Sequence, residues 1–195
     1  MNNILHAFKI ATDDQIARGL KWYLNARDWA AWAAGEYNTS PVIVAGMIAA
    51  LSPRNRWEWS LQDVIRILNK IAAGDDPTTA KSHTFNSNKL KAIAIAQGHQ
   101  GLITAQKTSA FCDNIVNPGS RRVTVDVWAW RVYTGEYNAR PIAVRGKLYD
   151  MIEEKYQAAA DHVGLKPYEL QAVTWGVARD TGARFNESIP THTNY

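Results

Sequence analysis

The sequence has a single cysteine, Cys112, among 195 residues. One thiol excludes an internal disulfide framework, a cysteine-rich zinc site and an iron–sulfur cluster. It also fits a reducing compartment. No apolar run could cross a bilayer. The longest, Pro41 to Leu51, stops well short of the roughly 20 residues that a spanning helix needs. The opening residues, MNNILHAFKIATDD, carry an interrupted apolar stretch and no small-residue cleavage site, unlike a secretory leader. The expected setting is the cytoplasm. The five histidines are scattered, with no HxxxH pair, so no metal site is expected. There is no Walker loop, no GxGxxG and no GxSxG. Nucleotide hydrolysis, a Rossmann cofactor site and an α/β-hydrolase are therefore disfavoured, and no cofactor is expected.

What is present is a core-forming composition. Hydrophobic residues make up 46% and charged residues 21%, spread along the chain. That suffices for one globular domain over 1–195. A division into two lobes is compatible with it: a central lobe at about 42–120, and a second of 1–41 with 121–195. The formal charge is +4 and the pI near 9.2. This permits a nucleic-acid partner without requiring one.

The patterning is helical. Thr12-Asp13-Asp14-Gln15 reads as a capping box. It predicts a helix to about Tyr37 with Ile16, Leu20, Tyr23 and Ala30 on one face. The tryptophans Trp22, Trp29 and Trp32 lie near helical spacing and read as core. Ser40-Pro41 starts a second helix that is apolar almost all round and so should be buried, with Gly46 admitting a close neighbour. Ser52-Pro53-Arg54-Asn55-Arg56 breaks it. Another helix follows from Trp57 to about Ala73, then a DDPTT turn. Further helices are predicted over Lys89–Gln97, near 105–115, over Val123–Thr134, over about 141–160 and over Pro167–Thr181. For Val123–Thr134, β-branched propensity leaves a strand open. The polar tail after Phe185 is expected to be loose. Strand alternation is scarce, so the fold class is all-α with about eight helices.

Three places could carry chemistry. Asp126, in RRVTVDVWAWRVYTG, lies among apolar neighbours near a helix start, where a carboxylate needs a partner. Backbone amides or Arg131 could satisfy it as a plain capping residue. Alternatively, it is a catalytic carboxylate. Lys107, in TAQKTSAFCDNI, is a solvated lysine or, if desolvated, a nucleophilic amine. The loop SPRNRWEW offers Arg54 and Arg56 to phosphates, Asn55 to a base edge, and Trp57 or Trp59 for stacking. The plainer reading is an exposed basic loop beside core tryptophans. Arg122 adds another cation, and Trp128 and Trp130 could line a pocket beside Asp126.

Three stretches taken in order resemble the helix–hairpin–helix DNA glycosylase superfamily. They are AALSPRNRWEWSLQDVIRIL, FNSNKLKAIAIAQ, and KTSAFCDNI followed by VTVDVWAWRVYTG. The resemblance spans about Val42 to Tyr137. It implies a two-lobed helical fold that flips a base into a pocket and cleaves its N-glycosidic bond. DNA would be the partner, Lys107 and Asp126 would take the catalytic positions, and the 54–57 loop would sit at the damaged pair. Where the family hairpin carries an LPGxG-like sequence, this chain reads QGLITAQK. The glycines that cradle a DNA phosphate are missing or displaced. The chain also looks like small bacteriophage proteins with ALSP and VTVDVWA-like motifs. These lie near the α-glutamyl/putrescinyl thymine pyrophosphorylases, in which an amine displaces pyrophosphate from a modified base. That resemblance implies a host-cytoplasmic setting and a rival base-modifying activity. A non-catalytic protein that binds DNA or blocks a host factor is the third alternative.

Overall fold

A computed structural model describes residues 1–140 and 142–187, without the side chains of Gln100 and 182–187. Among the described residues the regular structure is entirely helical, with nine α-helices and no strand. These are α1 (Asn2–Lys9), α2 (Asp13–Glu36), α3 (Pro41–Leu51), α4 (Trp57–Ala72), α5 (Asn86–Ala96), α6 (Gln106–Val116), α7 (Val127–Thr134), α8 (Lys147–Val163) and α9 (Pro167–Glu187). Contacts divide the chain into two compact units. Unit 1 is Met1–Tyr23 with the chain from Gly119 onward, and unit 2 is Leu24–Pro118.

In unit 2 the apolar helix α3 is central. Every residue from Val44 to Leu51 is buried. Ser40 caps it by accepting from the Ile43 amide at 3.2 Å, with Pro41 at its first position. Helices α4, α5 and α6 pack against it. Gly46 provides the expected close approach: a Cβ there would lie 3.0 Å from Ile95 of α5. The DDPTT stretch forms a 3₁₀ turn at Pro77–Thr79, capped by Asp76, which accepts from Thr78.

In unit 1, α9 packs against α1, α7 and α8. The capping box at the start of α2 is formed. The Thr12 amide donates to Gln15 Oε1 at 2.9 Å, and the Gln15 amide donates to Thr12 Oγ1 at 3.2 Å. The buried stripe that follows is Gln15, Gly19 and Tyr23 in unit 1, continuing as Ala26, Ala30 and Ala33 in unit 2. This corrects the predicted face. Leu20 is exposed, and Gly19 takes the core position because α9 backbone comes too close for a larger residue. Trp32 is also outside the core, at 55% exposed, and Trp22 and Trp29 are half-buried.

Other boundaries moved for local reasons. Helix α1 was not predicted. Helix α5 starts three residues earlier than expected, at Asn86, with Phe85 as its cap residue. The stretch from Val123 to Asp126 lies outside any helix, with the Asp126 amide turned back on the Thr124 carbonyl at 3.1 Å, and α7 begins only at Val127. The helix expected over about 141–160 runs over Lys147–Val163 instead. Its predicted start, Pro141, lies outside the described residues. Helix α9 continues past Phe185 to Glu187, and the rest of the polar tail lies outside the described residues. No helix among the described residues is long and apolar enough to cross a membrane.

The Gly19 contact gives a direct test of unit 1 packing. A Cβ at Gly19 would sit 2.5–2.6 Å from Val173, including its backbone N and Cα, whereas Gly35 has nothing within 4 Å. Gly19→Ala is expected to lower stability by about 1–3 kcal/mol through overpacking. Gly35→Ala should leave stability unchanged or raise it by up to about 1 kcal/mol. Urea unfolding of both variants checks the pair.

Candidate functional site

Unit 1 holds Asp126, Arg122, Trp128 and Trp130. Unit 2 holds Lys107, Arg54, Asn55, Arg56 and Trp57. The two expected catalytic residues thus belong to different units.

Asp126 is placed by a stretch of irregular chain outside any helix. Its backbone groups must still be satisfied, and one face of α8 does this. Gln157 Nε2 donates to the Arg121 carbonyl at 2.8 Å. Glu153 Oε1 accepts from the Val123 amide at 2.8 Å and from Arg122 Nε at 2.9 Å. The Tyr149 hydroxyl donates to the Val123 carbonyl at 2.6 Å and accepts from the Val125 amide at 3.3 Å. Tyr149, Glu153 and Gln157 recur every four residues, so they share one side of the helix. Burial pushes the Tyr149 phenol up, which keeps it protonated as a donor.

The chain then enters α7 with Asp126 as its N-cap. Asp126 Oδ1 accepts from the amides of Trp128 and Ala129, both at 2.9 Å. Capping by backbone amides, one of the two expected forms of satisfaction, is therefore present. Arg131 points instead to the Ala139 carbonyl, at 2.9 and 3.1 Å, and stacks on Trp128 with its guanidinium carbon 4.6 Å from the ring centre. Asp126 is half-buried. The wholly buried Tyr156 lies below it. Its phenol is pushed up chiefly by burial and further by the Asp126 charge. Trp128 is half-buried, whereas Trp130 is 9% exposed and belongs to the core of unit 1. Arg122 is held by Glu153.

In unit 2, Lys107 is the second residue of α6 and half-buried. Ala105 caps that helix without a side-chain bond, and its first turn has no acidic residue. A cation there opposes the helix dipole, which costs about 0.3–1 kcal/mol. The neighbouring Cys112 thiol is pushed up to about 11 by burial and then by Asp113. It is a core residue, not a nucleophile.

The 52–56 loop is fastened from beneath. Its turn closes with the Asn55 amide on the Ser52 carbonyl at 3.1 Å. Arg54 takes a left-handed φ of 57°. For a side chain other than glycine this costs roughly 1–2 kcal/mol. Arg54 and Arg56 are exposed, and Asn55 and Trp57 are half-buried. Arg56 stacks on Trp59, 4.6 Å from the ring centre.

Sequence reading missed the anchor of this loop, Asp63, which is 0% exposed. Its Oδ1 lies 2.8 Å from His83 Nδ1 and 3.3 Å from Arg66. Its Oδ2 accepts from the His83 amide at 2.8 Å and from Asn55 Nδ2 at 3.5 Å. Four donors thus meet the roughly four lone-pair positions of a carboxylate. The His83 ring also stacks on Trp59, with centres 5.0 Å apart. The spacing of Trp59, Asp63, Arg66 and Lys70 on one side of α4 was a usable signal. The arrival of His83 from a distant loop was not.

Asp63 therefore joins α4 to both the 52–56 loop and the 82–85 segment. Asp63→Ala strands these donors and is expected to cost about 3–5 kcal/mol. Urea unfolding monitored by tryptophan fluorescence measures it. A loss under about 1 kcal/mol would mean that the cluster does not hold the loop.

No group of three or more histidine, cysteine, aspartate or glutamate residues able to hold a metal occurs among the described residues. No curated protein and no solved structure matches the chain. Residues 1–182 match the family described as "Family of unknown function (DUF7178)", and the chain belongs to that family.

Proposed function

We propose that the protein is a DNA base-processing enzyme of the helix–hairpin–helix glycosylase kind, which cleaves an N-glycosidic bond. The observation that carries the reading is the placement of Asp126. It is a half-buried carboxylate set at a helix N-terminus by a pinned, non-helical segment. The motif order in the sequence and the all-helical architecture add to this support.

In the proposed reaction a base is flipped out of its stack. The glycosidic C–N bond breaks, and its electron pair leaves with the base. Asp126 stabilises the positive charge that develops on the sugar. It then accepts a proton from the water that adds to the anomeric carbon, as carboxylates do between sugars. Arg54 and Arg56 contact phosphates, and Asn55 or Trp57 props the vacated space. Lys107, if desolvated, is the candidate nucleophilic amine for a Schiff-base form of the reaction.

The test is mass spectrometry of products from single-stranded and duplex DNAs carrying normal, damaged and modified bases, with wild type beside Asp126→Asn. Asparagine caps helices about as well as aspartate, so the variant should fold. Free base and an abasic site are expected from wild type, with at least about a hundredfold loss in the variant. Wild-type turnover by a folded Asn variant would remove Asp126 from the mechanism. A base-mass change with pyrophosphate release would replace cleavage with base modification. DNA binding without any product would leave a binding protein.

A further inference from the structure

We propose that one side of α4 is a track for the phosphates of a nucleic-acid strand, leading away from the 52–56 loop. The proposal rests on the reading of the chain as a DNA-processing protein and names the surface that would hold the strand beyond the processed base.

At 100° per residue, Arg56, Trp59, Asp63, Arg66 and Lys70 fall within about 80° of one another round the helix. From Arg56 to Lys70 they cover about 21 Å of its length. The one acid among them, Asp63, is wholly buried and already met by His83, Arg66 and Asn55. It therefore presents little negative charge to solvent. Glu58, the acid in the first turn, lies about 100° away from Trp59.

At the far end the stripe borders an open groove of about 520 Å³ between α4 and the 3₁₀ turn, lined by Arg66, Asn69, Lys70, Asp75, Thr79 and Lys81. Two of its cations, Lys70 and Lys81, face one exposed carboxylate there, and the third, Arg66, is paired with the buried Asp63. Lys70 pairs with Asp75 at 2.9 Å, with both side chains well exposed. Such a pair is weak and can be given up for a phosphate. Cations spaced along one edge, beginning beside the stacked Arg56, Trp59 and His83, suit a linear polyanion better than a single small anion.

The experiment measures binding of a fluorescent 20-nucleotide single strand by anisotropy across a salt series. It compares wild type, Lys70→Gln/Lys81→Gln, and a control with the same charge change, Lys9→Gln/Lys91→Gln, at two exposed lysines off the stripe. Urea unfolding confirms that each variant folds. The stripe variant is expected to bind on the order of tenfold more weakly at 0.1 M salt. Its log–log salt slope should be shallower by about 1.4, two lost phosphate contacts for single-stranded DNA. The control should keep the wild-type slope.

Equal changes in both double variants would overturn the proposal, because net charge alone would explain them. So would wild-type binding of tripolyphosphate but not of the strand. The same samples are assayed for released base. A stripe effect without product would sink the enzyme reading and leave the track standing. Product formation with an unaltered stripe variant would do the reverse. No strand binding at all would sink both.

Discussion

A run of irregular backbone outside any helix, Arg121 to Asp126, is the constraint on which unit 1 turns. Each amide and carbonyl from Arg121 to Val125 would be costly to bury unpaired. Helix α8 answers with three side chains four residues apart: a phenol, a carboxylate and an amide. Their combined geometry fixes where the chain turns into α7, and hence where the Asp126 carboxylate stands. A helix carried back to Val123 would have placed Asp126 in its interior. Ending the irregular run at Asp126 makes it the cap, with its carboxylate on two amides.

Unit 2 uses the same device in a different form. Apolar packing around α3 forms the core, but it cannot position polar loops at the edge. Asp63, removed from water, collects donors from two loops and from its own helix, so the 52–56 loop is tied to rigid structure. That tie coexists with a left-handed Arg54.

Much of this was legible in the sequence, because local rules and global packing agreed. The Thr12–Gln15 box, the Ser40-Pro41 start and the all-apolar α3 each gave the observed helix. The misses share one cause. Gly19 rather than Leu20 faces the core because α9 backbone lies against it, and helical periodicity does not register a glycine. Val123 to Asp126 stays out of the helix because α8 pins it. Asp63 looks like an ordinary helix-surface acid until His83, twenty residues later, closes over it. At the candidate site the backbone-amide capping of Asp126 was legible, whereas Tyr149, Glu153 and Gln157 of α8, and the Asp63 cluster, come from residues distant in the chain that no local pattern joins.

The central claim is that Asp126 stabilises positive charge on a sugar, and it can be tested without knowing the target base. The measurement compares the affinity of the protein for an oligonucleotide carrying a cationic pyrrolidine sugar mimic with its affinity for one carrying the neutral tetrahydrofuran analogue. Transition-state mimics bind at least about a hundredfold tighter than ground-state analogues. The account predicts a preference of that order for the cation, abolished in Asp126→Asn. Equal affinity for the two, or a preference that survives in the variant, would contradict it.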